Sequence, residues 1–281
     1  MSSEFNDPRL VAVYDALNPY APGTQPDFYL ALAHEISARR VVEIGCGTGI
    51  VTEHLARAGL EVVGVEPSAL MLDVARRRPG TAGVRWIHGP VTALDVRDAD
   101  LCVMPGHVAQ FFLGDDEWHE ALVAVRNALR PGGRLAFETR NPAVRSWESW
   151  TPTRTRRRVV DPEAGGIETW TEVVDVADGV VTTVLHHVFE RSGDDVTART
   201  SLRFRTPEDL EASLDAAGFE IEHRYGGWDR QPFTDEDELV VVARVPGSVR
   251  AGRSCPPPGS RRPSAPSAGG PSSPSSSTAS G

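Results

Sequence analysis

The chain contains no lysine. All 29 of its basic residues are arginine, and 39 acidic residues outnumber them, leaving a formal net charge of −10 over 281 residues. That balance argues against a nucleic-acid backbone as partner, because phosphate binding needs a basic footprint. The one basic cluster, Arg154 to Arg158, reads as a solvated loop or strand edge. Cysteine is also scarce. Cys46, Cys102 and Cys255 are odd in number and widely spaced, so neither a disulfide framework nor a zinc site is expected. No apolar run approaches the length of a membrane span. Residues 1–7 lack the basic and apolar regions of a signal peptide. The expected setting is therefore the cytoplasm, with neither membrane nor nucleic acid as partner. No internal repeat is present.

What is present is organised around one stretch, Arg39-Arg40-Val41-Val42-Glu43-Ile44-Gly45-Cys46-Gly47-Thr48-Gly49-Ile50. A β-branched apolar run ends in three alternate glycines. A helical pattern follows at once through Val51, His54, Leu55 and Ala58, closed by Gly59. This predicts strand, tight turn and helix. Glycine tolerates positive φ and has no Cβ, so such a turn brings bare backbone against a ligand. The following helix then points its free N–H groups at the same place. The dinucleotide fingerprint G-x-G-x-x-G would require glycine at Ile50; the pattern here is Glu-x-Gly-x-Gly-x-Gly. A second acid, Glu66, closes the next apolar run, Val62 to Val65, where it is placed to accept hydrogen bonds from ribose hydroxyls.

The rest of the chain frames that stretch. Asp7-Pro8 opens a first helix through Leu10, Val11, Val13, Tyr14 and Leu17, ended by Asn18-Pro19. A second helix is expected from about residue 26 to 38. Ser68 caps a third, carrying Leu70, Met71 and Leu72. Residues 84–88 and 99–104 read as the third and fourth strands. Asp115-Asp116 opens a long helix that stops at Arg130-Pro131-Gly132-Gly133, and residues 134–139 form the fifth strand. Period-two stretches between 151 and 205, separated by Asp178-Gly179 and Ser192-Gly193-Asp194, predict an antiparallel insertion of three to four strands. Its adjacent His186 and His187 face opposite sides of a strand and cannot chelate one metal, so no metal is assigned. Thr206-Pro207-Glu208-Asp209 restarts a helix. Residues 219–225 and 239–245 are the last strands, expected to pair antiparallel. From Pro246 the composition turns to Pro, Ser, Gly and Ala, which predicts a disordered tail.

The glycine loop, Glu66 and the run Asn127-Ala128-Leu129-Arg130-Pro131-Gly132-Gly133-Arg134-Leu135 together resemble the class I S-adenosylmethionine-dependent methyltransferases, over roughly Val41 to Glu138. The resemblance implies a Rossmann-like α/β fold: a seven-stranded sheet with its last strand antiparallel, flanked by helices, with the β insertion after the fifth strand. It implies five segments: a helical cap at 1–38, a cofactor-binding core at 39–150, the insertion over the active site at 151–205, the end of the core at 206–245, and the tail at 246–281. It also implies that S-adenosylmethionine lies on Glu43, Gly45, Cys46, Gly47, Thr48 and Gly49. Glu66 would hold the ribose; Pro67, Ser68 and Met71 would lie near the adenine, as would the turn Gly89-Pro90-Val91, with Met104 at the cofactor edge of the fourth strand. Pro90 departs from the family, which usually carries an acidic or amide side chain at this turn.

In the family, entries like Val13 to Tyr20 place a tyrosine near the acceptor, so Tyr14 and Tyr20 are candidates there, with plain helix packing as the other reading. The residues after the fourth strand, among them His107 and Gln110, fall at the ligand-binding edge of the sheet. His107 is the first candidate base, since histidine titrates near neutrality; His88, His223 and Glu138 stand behind it, and a structural role is open for each. Trp147, Trp150, Trp170 and Trp228 are either walls of an acceptor pocket or core of the insertion. The expected function is methyl transfer to a nitrogen or oxygen of a small-molecule acceptor. A nicotinamide-dependent oxidoreductase and a non-catalytic cofactor-binding module are the alternatives. Ile50 and the antiparallel last pair oppose the former.

Overall fold

Val41, Val42 and Ile44 lie in one strand that is buried from both sides, and this two-sided burial sets the architecture. Val41 packs with Phe28, Tyr29, Leu32 and Leu55 on one face, while Val42 and Ile44 pack with Trp118, Leu122 and Val125 on the other. Near-continuous apolar runs are what a parallel strand covered on both faces needs.

A computed structural model describes residues 3–235 and 238–247. Its helices are α1 (Pro8–Ala12), α2 (Tyr14–Leu17), α3 (Gln25–Glu35), α4 (Ile50–Arg57), α5 (Ala69–Arg77), α6 (Asp115–Ala128), α7 (Pro152–Thr155) and α8 (Pro207–Ala216). Its strands are β1 (Arg40–Ile44), β2 (Glu61–Glu66), β3 (Arg85–His88), β4 (Ala99–Met104), β5 (Leu129–Thr139), β6 (Arg157–Asp161), β7 (Gly165–Ala177), β8 (Val180–Phe189), β9 (Asp195–Arg203), β10 (Glu220–Tyr225) and β11 (Leu239–Arg244). Short 3-10 turns at Ser3–Asn6 and Val108–Phe111 also matter for the site. Of the tail expected at 246–281, residues 248–281, Cys255 among them, lie outside the described residues.

The main sheet has seven strands in the order β10-β11-β5-β4-β1-β2-β3. The strands β1 to β5 run parallel, and β11 is antiparallel to both β5 and β10. This is the Rossmann-like sheet with its antiparallel last strand that the sequence predicts. The parallel strands bring the residues after Ile44, Glu66, His88, Met104 and Thr139 to one edge, the place where open α/β sheets bind ligands.

The insertion is a separate four-stranded antiparallel sheet in the order β6-β7-β8-β9. One end of its inner face packs Ile167, Phe189, Val196 and Ala198 against Leu10, Val13 and Leu17 of the N-terminal helices. The other end packs Val181, Leu202 and Phe204 with Phe111, Trp147 and Trp150. The edge strand β6 begins inside the arginine run, with Arg158 paired to Glu190 and Arg156 to Glu168.

Three element boundaries differ from the sequence reading. The first helix is broken at Val13, whose N–H turns back to Leu10 O. The break lets Val13 pack on the insertion while Asp15 reaches the glycine loop. The second helix stops at Glu35 because Ser37 takes a left-handed conformation, φ 53°. The fifth strand begins at Leu129, which pairs with Ala99 ahead of the Pro131-Gly132-Gly133 irregularity.

Candidate cofactor and acceptor site

The glycine loop is pinned to the end of β2. The N–H groups of Gly45 and Cys46 both donate to Val65 O, at 2.8 and 3.1 Å. Gly45, Gly47 and Gly49 all have positive φ, at 68°, 54° and 82°, a region costly for other residues. The glycines differ in what lies above them. A Cβ on Gly45 would fall 2.5 Å from Val108 Cγ2, and one on Gly49 would press Ala75 and Trp86. Above Gly47 there is open space. Gly45 and Gly49 therefore serve internal packing, and Gly47 is where the loop can approach a ligand.

Glu66 stands beside that opening. Its carboxylate accepts from Gly47 N–H at 3.0 Å and from Ser68 N–H at 2.8 Å. Burial raises its pKa, opposed by those two hydrogen bonds. An ionised carboxylate has about four acceptor sites, so it retains capacity for ligand hydroxyls. Glu43, one strand over, is turned away beneath α4, where Thr52 Oγ1 donates to it. Cys46 is buried against Gly64, and burial pushes its thiol well above the usual range.

The N-terminal segment is clipped across this edge. Thr48 Oγ1 donates to Asp15 Oδ1 at 2.6 Å, and Arg78 pairs with the other Asp15 oxygen while its Nε donates to Thr48 O at 2.8 Å. Ser68 Oγ donates to Phe5 O, and the Phe5 ring meets Tyr14 and Phe111 edge-on at 6.2 and 5.5 Å. Burial raises the Tyr14 phenol, helped by the negative charges of Glu4, Glu66 and Asp15. Burial also pushes Glu4 up to about 7.

A second polar network lies at the carboxyl ends of β4 and β5. Glu138 is fully buried, and it accepts from Tyr29 OH and, at 2.9 Å, from the backbone N–H of His107. Burial raises the Glu138 pKa, with His107 and Tyr29 opposing it. His107 has left-handed backbone, φ 60°, and its Nε2 meets Glu238 Oε1. Burial alone would raise Glu238, but the His107 hydrogen bond and the charges of His107 and Arg140 hold it below the usual carboxylate range. Arg140 donates to Gln110 Oε1 at 2.8 Å and lies over the Trp150 ring. Gln110 is itself buried and donates to Arg203 O of β9 at 3.3 Å, tying the network to the insertion.

The structure thus brings Gly45, Cys46, Gly47, Thr48, Gly49, Glu66 and Ser68 together at one edge with Tyr14. His107 and Gln110 belong to the second network. Other candidates fall elsewhere. Met104 is fully buried in the core with Leu122 and Phe137, and Val91 joins the same cluster. Met71 is buried in α5. Pro67 O is bound by the His88 ring at 3.2 Å; Gly89 N–H donates to Glu66 O, and Pro90 leads exposed into the following 3-10 turn. Tyr20 is 39% exposed, bonded to Asp27 and packed on His54, away from the His107 network. His223 stacks on Tyr225. Trp147 and Trp150 pack on Phe204; Trp228 packs on Phe28 and Tyr29; Trp170 is sandwiched between Arg156 and His186. The sequence reading did not single out Asp15, Tyr29, Arg78, Arg140 or Glu238. Two of them carried a positional signal: Asp15 lies within the Val13–Tyr20 segment, and Arg140 directly follows the fifth strand.

These features can be set beside known proteins. A family model described as a methyltransferase domain matches residues 41–133, from β1 into the start of β5, stopping short of the insertion. An uncharacterised methyltransferase of Mycobacterium tuberculosis is 37% identical over 133 residues, covering 45% of this chain and 49% of that protein. The chain therefore spans about half the length of that relative. The cypemycin N-terminal methyltransferase of a Streptomyces species is 24% identical over 244 residues, covering 85% of this chain and 97% of the relative. Among solved structures, an S-adenosylmethionine-dependent methyltransferase of Clostridium acetobutylicum shares the fold at a TM-score of 0.69 and 17% identity, covering 85% of this chain and 98% of that one.

The buried acid of β1 gives a measurable pH signature. Burial pushes the Glu43 carboxyl from 4.5 up to about 8, against the Thr52 hydrogen bond. The folded state keeps a proton that the unfolded chain has already released, so this group's contribution makes stability fall as pH rises between those two values. Glu43→Gln keeps a partner for Thr52 and removes the titration. It is expected to reduce the downward slope of stability against pH by up to about 1.4 kcal/mol per pH unit, read from urea denaturation at several pH values in that window. An unchanged slope would mean that Glu43 is ionised in the folded protein.

Proposed function

We propose that this chain, whose residues 41–133 match a methyltransferase-domain model, moves a methyl group from S-adenosylmethionine to a nitrogen or oxygen of a small acceptor, an amine nitrogen fitting best. The observation that carries this reading is the Glu66 carboxylate. It is buried, fixed by the N–H groups of Gly47 and Ser68, and set beside the one of the three loop glycines with open space above it. That donor set fits the cofactor: Glu66 has lone pairs for ribose hydroxyls, and bare backbone at Gly47 admits close approach. Topology weakens the nicotinamide reading, since Ile50 replaces the third fingerprint glycine and β11 is antiparallel.

When bound, S-adenosylmethionine supplies a sulfonium methyl carbon open to direct displacement by a lone pair. The chain's own residues have three tasks: alignment, exclusion of water and removal of the acceptor's proton. Glu238 is held as a carboxylate and can only accept, so the His107 hydrogen lies on Nε2. That leaves Nδ1 of His107 with the lone pair, able to take a proton from an acceptor N–H or O–H. Glu138 fixes the same residue from its backbone side. Glu238 is thus a positioning residue for His107. The Glu238 carboxylate on this ring favours an acceptor that becomes positively charged as its nitrogen gains the methyl group. The N-terminal cap, held by Asp15 and Phe5, covers the cofactor edge.

Two measurements test these roles. Glu66→Ala is expected to weaken S-adenosylhomocysteine binding by about 1–3 kcal/mol through lost charged hydrogen bonds. Gly47→Val, which forces a β-branched residue into positive φ, should abolish binding while leaving the fold cooperative. Unchanged calorimetric affinity in either variant would remove that residue from the cofactor site. His107→Ala is expected to lower kcat for a small amine by about 100-fold or more, with Glu238→Gln giving a smaller loss and a shifted pH profile. An unaltered kcat in His107→Ala would take the base role away from it.

A further inference from the structure

Arg140 directly follows β5, at the edge where the main sheet presents its ligand-binding ends, and it is half-buried there. Its guanidinium is held on two sides. One face lies against the Trp150 ring, 5.1 Å from the centroid. Nη1 donates to Gln110 Oε1 at 2.8 Å, and the other end of that amide donates to Arg203 O. Among the described residues this is the only hydrogen bond the guanidinium makes, and it goes to a neutral group. The carboxylates near it are engaged elsewhere: Glu238 with the His107 ring, Glu138 with Tyr29 OH and the His107 N–H. Both raise the Arg140 pKa through their charge, but neither reaches it as an ion pair, and burial still lowers it.

The unused edge of the guanidinium is open. Among the described residues the buried side-chain nitrogen or oxygen atoms without a partner are on Ser146, His186, His187 and Arg203, and none is on Arg140. Nε and Nη2 of Arg140 are therefore neither bonded nor sealed, and they lie on the same side of the planar group. That edge offers parallel N–H donors, the arrangement a carboxylate accepts as a bidentate pair. A guanidinium already fixed by a ring and an amide loses little further freedom when it binds. The open edge also belongs to the same locality as the candidate base. Gln110, which holds Arg140, shares a single 3-10 turn with His107: its N–H donates to His107 O at 2.9 Å. Glu238 senses both groups, bonded to the His107 ring and lowered further by the Arg140 charge.

On the methyltransferase reading above, we propose that Arg140 binds a carboxylate of the acceptor through Nε and Nη2, which makes the acceptor an amino acid whose amine is methylated beside His107. The charges match such a dipolar molecule: Glu238 suits its ammonium end and Arg140 its carboxylate end. The ammonium gives one proton to His107 Nδ1. The lone pair this frees forms the nitrogen–carbon bond as the carbon–sulfur bond breaks and S-adenosylhomocysteine leaves. The methionine part of the cofactor also carries a carboxylate, and topology separates the two. Gly47 and Glu66 follow β1 and β2, whereas Arg140 follows β5, with β4 between β5 and β1. At about 4.8 Å per strand, β5 is roughly 10 Å from β1. His107 follows β4, the direct neighbour of β5.

The test compares acceptor pairs that differ only in the carboxylate: glycine with methylamine, β-alanine with ethylamine, and γ-aminobutyrate with propylamine. Each is offered to the full chain, following S-adenosylhomocysteine production. The wild type is expected to favour the amino acid of at least one pair by about tenfold or more in kcat/KM, the effect of a charge-assisted bidentate bond. Arg140→Gln should bring that pair to near equality, mainly through KM. Arg140→Lys, which keeps the charge but not the planar fork, should restore part of the preference. No preference in the wild type, turnover of none of these acceptors, or a preference undiminished in Arg140→Gln (in Arg140→Lys, should the former not fold) would overturn the proposal. Calorimetry with S-adenosylhomocysteine runs alongside. Arg140→Gln is expected to hold wild-type affinity to within about twofold, and a loss of about tenfold or more would assign Arg140 to the cofactor's own carboxylate and overturn the proposal. Failure of the wild type to bind would sink the methyltransferase reading itself, while intact binding with no preference sinks only the Arg140 assignment.

Discussion

One buried carboxylate ties the carboxyl edge of the main sheet together. Glu66 ends β2, and its two oxygens take one N–H from the glycine loop and one from the start of α5. Burial works against its charge, and the two backbone donors work for it. The loop cannot move away from Glu66 without leaving a carboxylate short of donors in a place where water is scarce. The close approach also needs positive φ at Gly47, which explains why the glycines alternate where a plain strand-to-helix turn would manage with fewer.

The N-terminal segment is organised by the same edge. Asp15 reaches Thr48 and Arg78, and the Phe5 carbonyl takes the Ser68 hydroxyl. These are side-chain bonds at the two sides of the loop, backed by Leu10, Val13 and Leu17 on the insertion. The cap therefore couples two surfaces that belong to different sheets.

The parts of this arrangement carried by local pattern were legible in the sequence. The β-branched run before Gly45, the acid ending the second strand and the Pro-Gly-Gly turn each follow from short-range spacing, and the strand order and antiparallel β11 agree with them. The two histidines of β8 were legible as opposite-facing, because the strand period is two. Which of them faced inward was not, since that depends on how the insertion docks on Leu10 and Val13. The site's polar pairs were hidden for a related reason. Tyr29 meets Glu138 across 109 residues and His107 meets Glu238 across 131; no local window contains both partners. Met104 illustrates the converse: it closes a strand at the ligand edge, yet its side chain turns into the core beneath α6.

The most direct measurement is calorimetric titration of the purified wild-type chain with S-adenosylmethionine, S-adenosylhomocysteine and NAD in parallel. If Glu66 and the glycine loop are built as described, the first two bind with micromolar affinity, roughly −8 kcal/mol, and NAD does not. Binding of NAD alone, or of none of the three, would contradict the assignment of this edge to a sulfonium nucleoside.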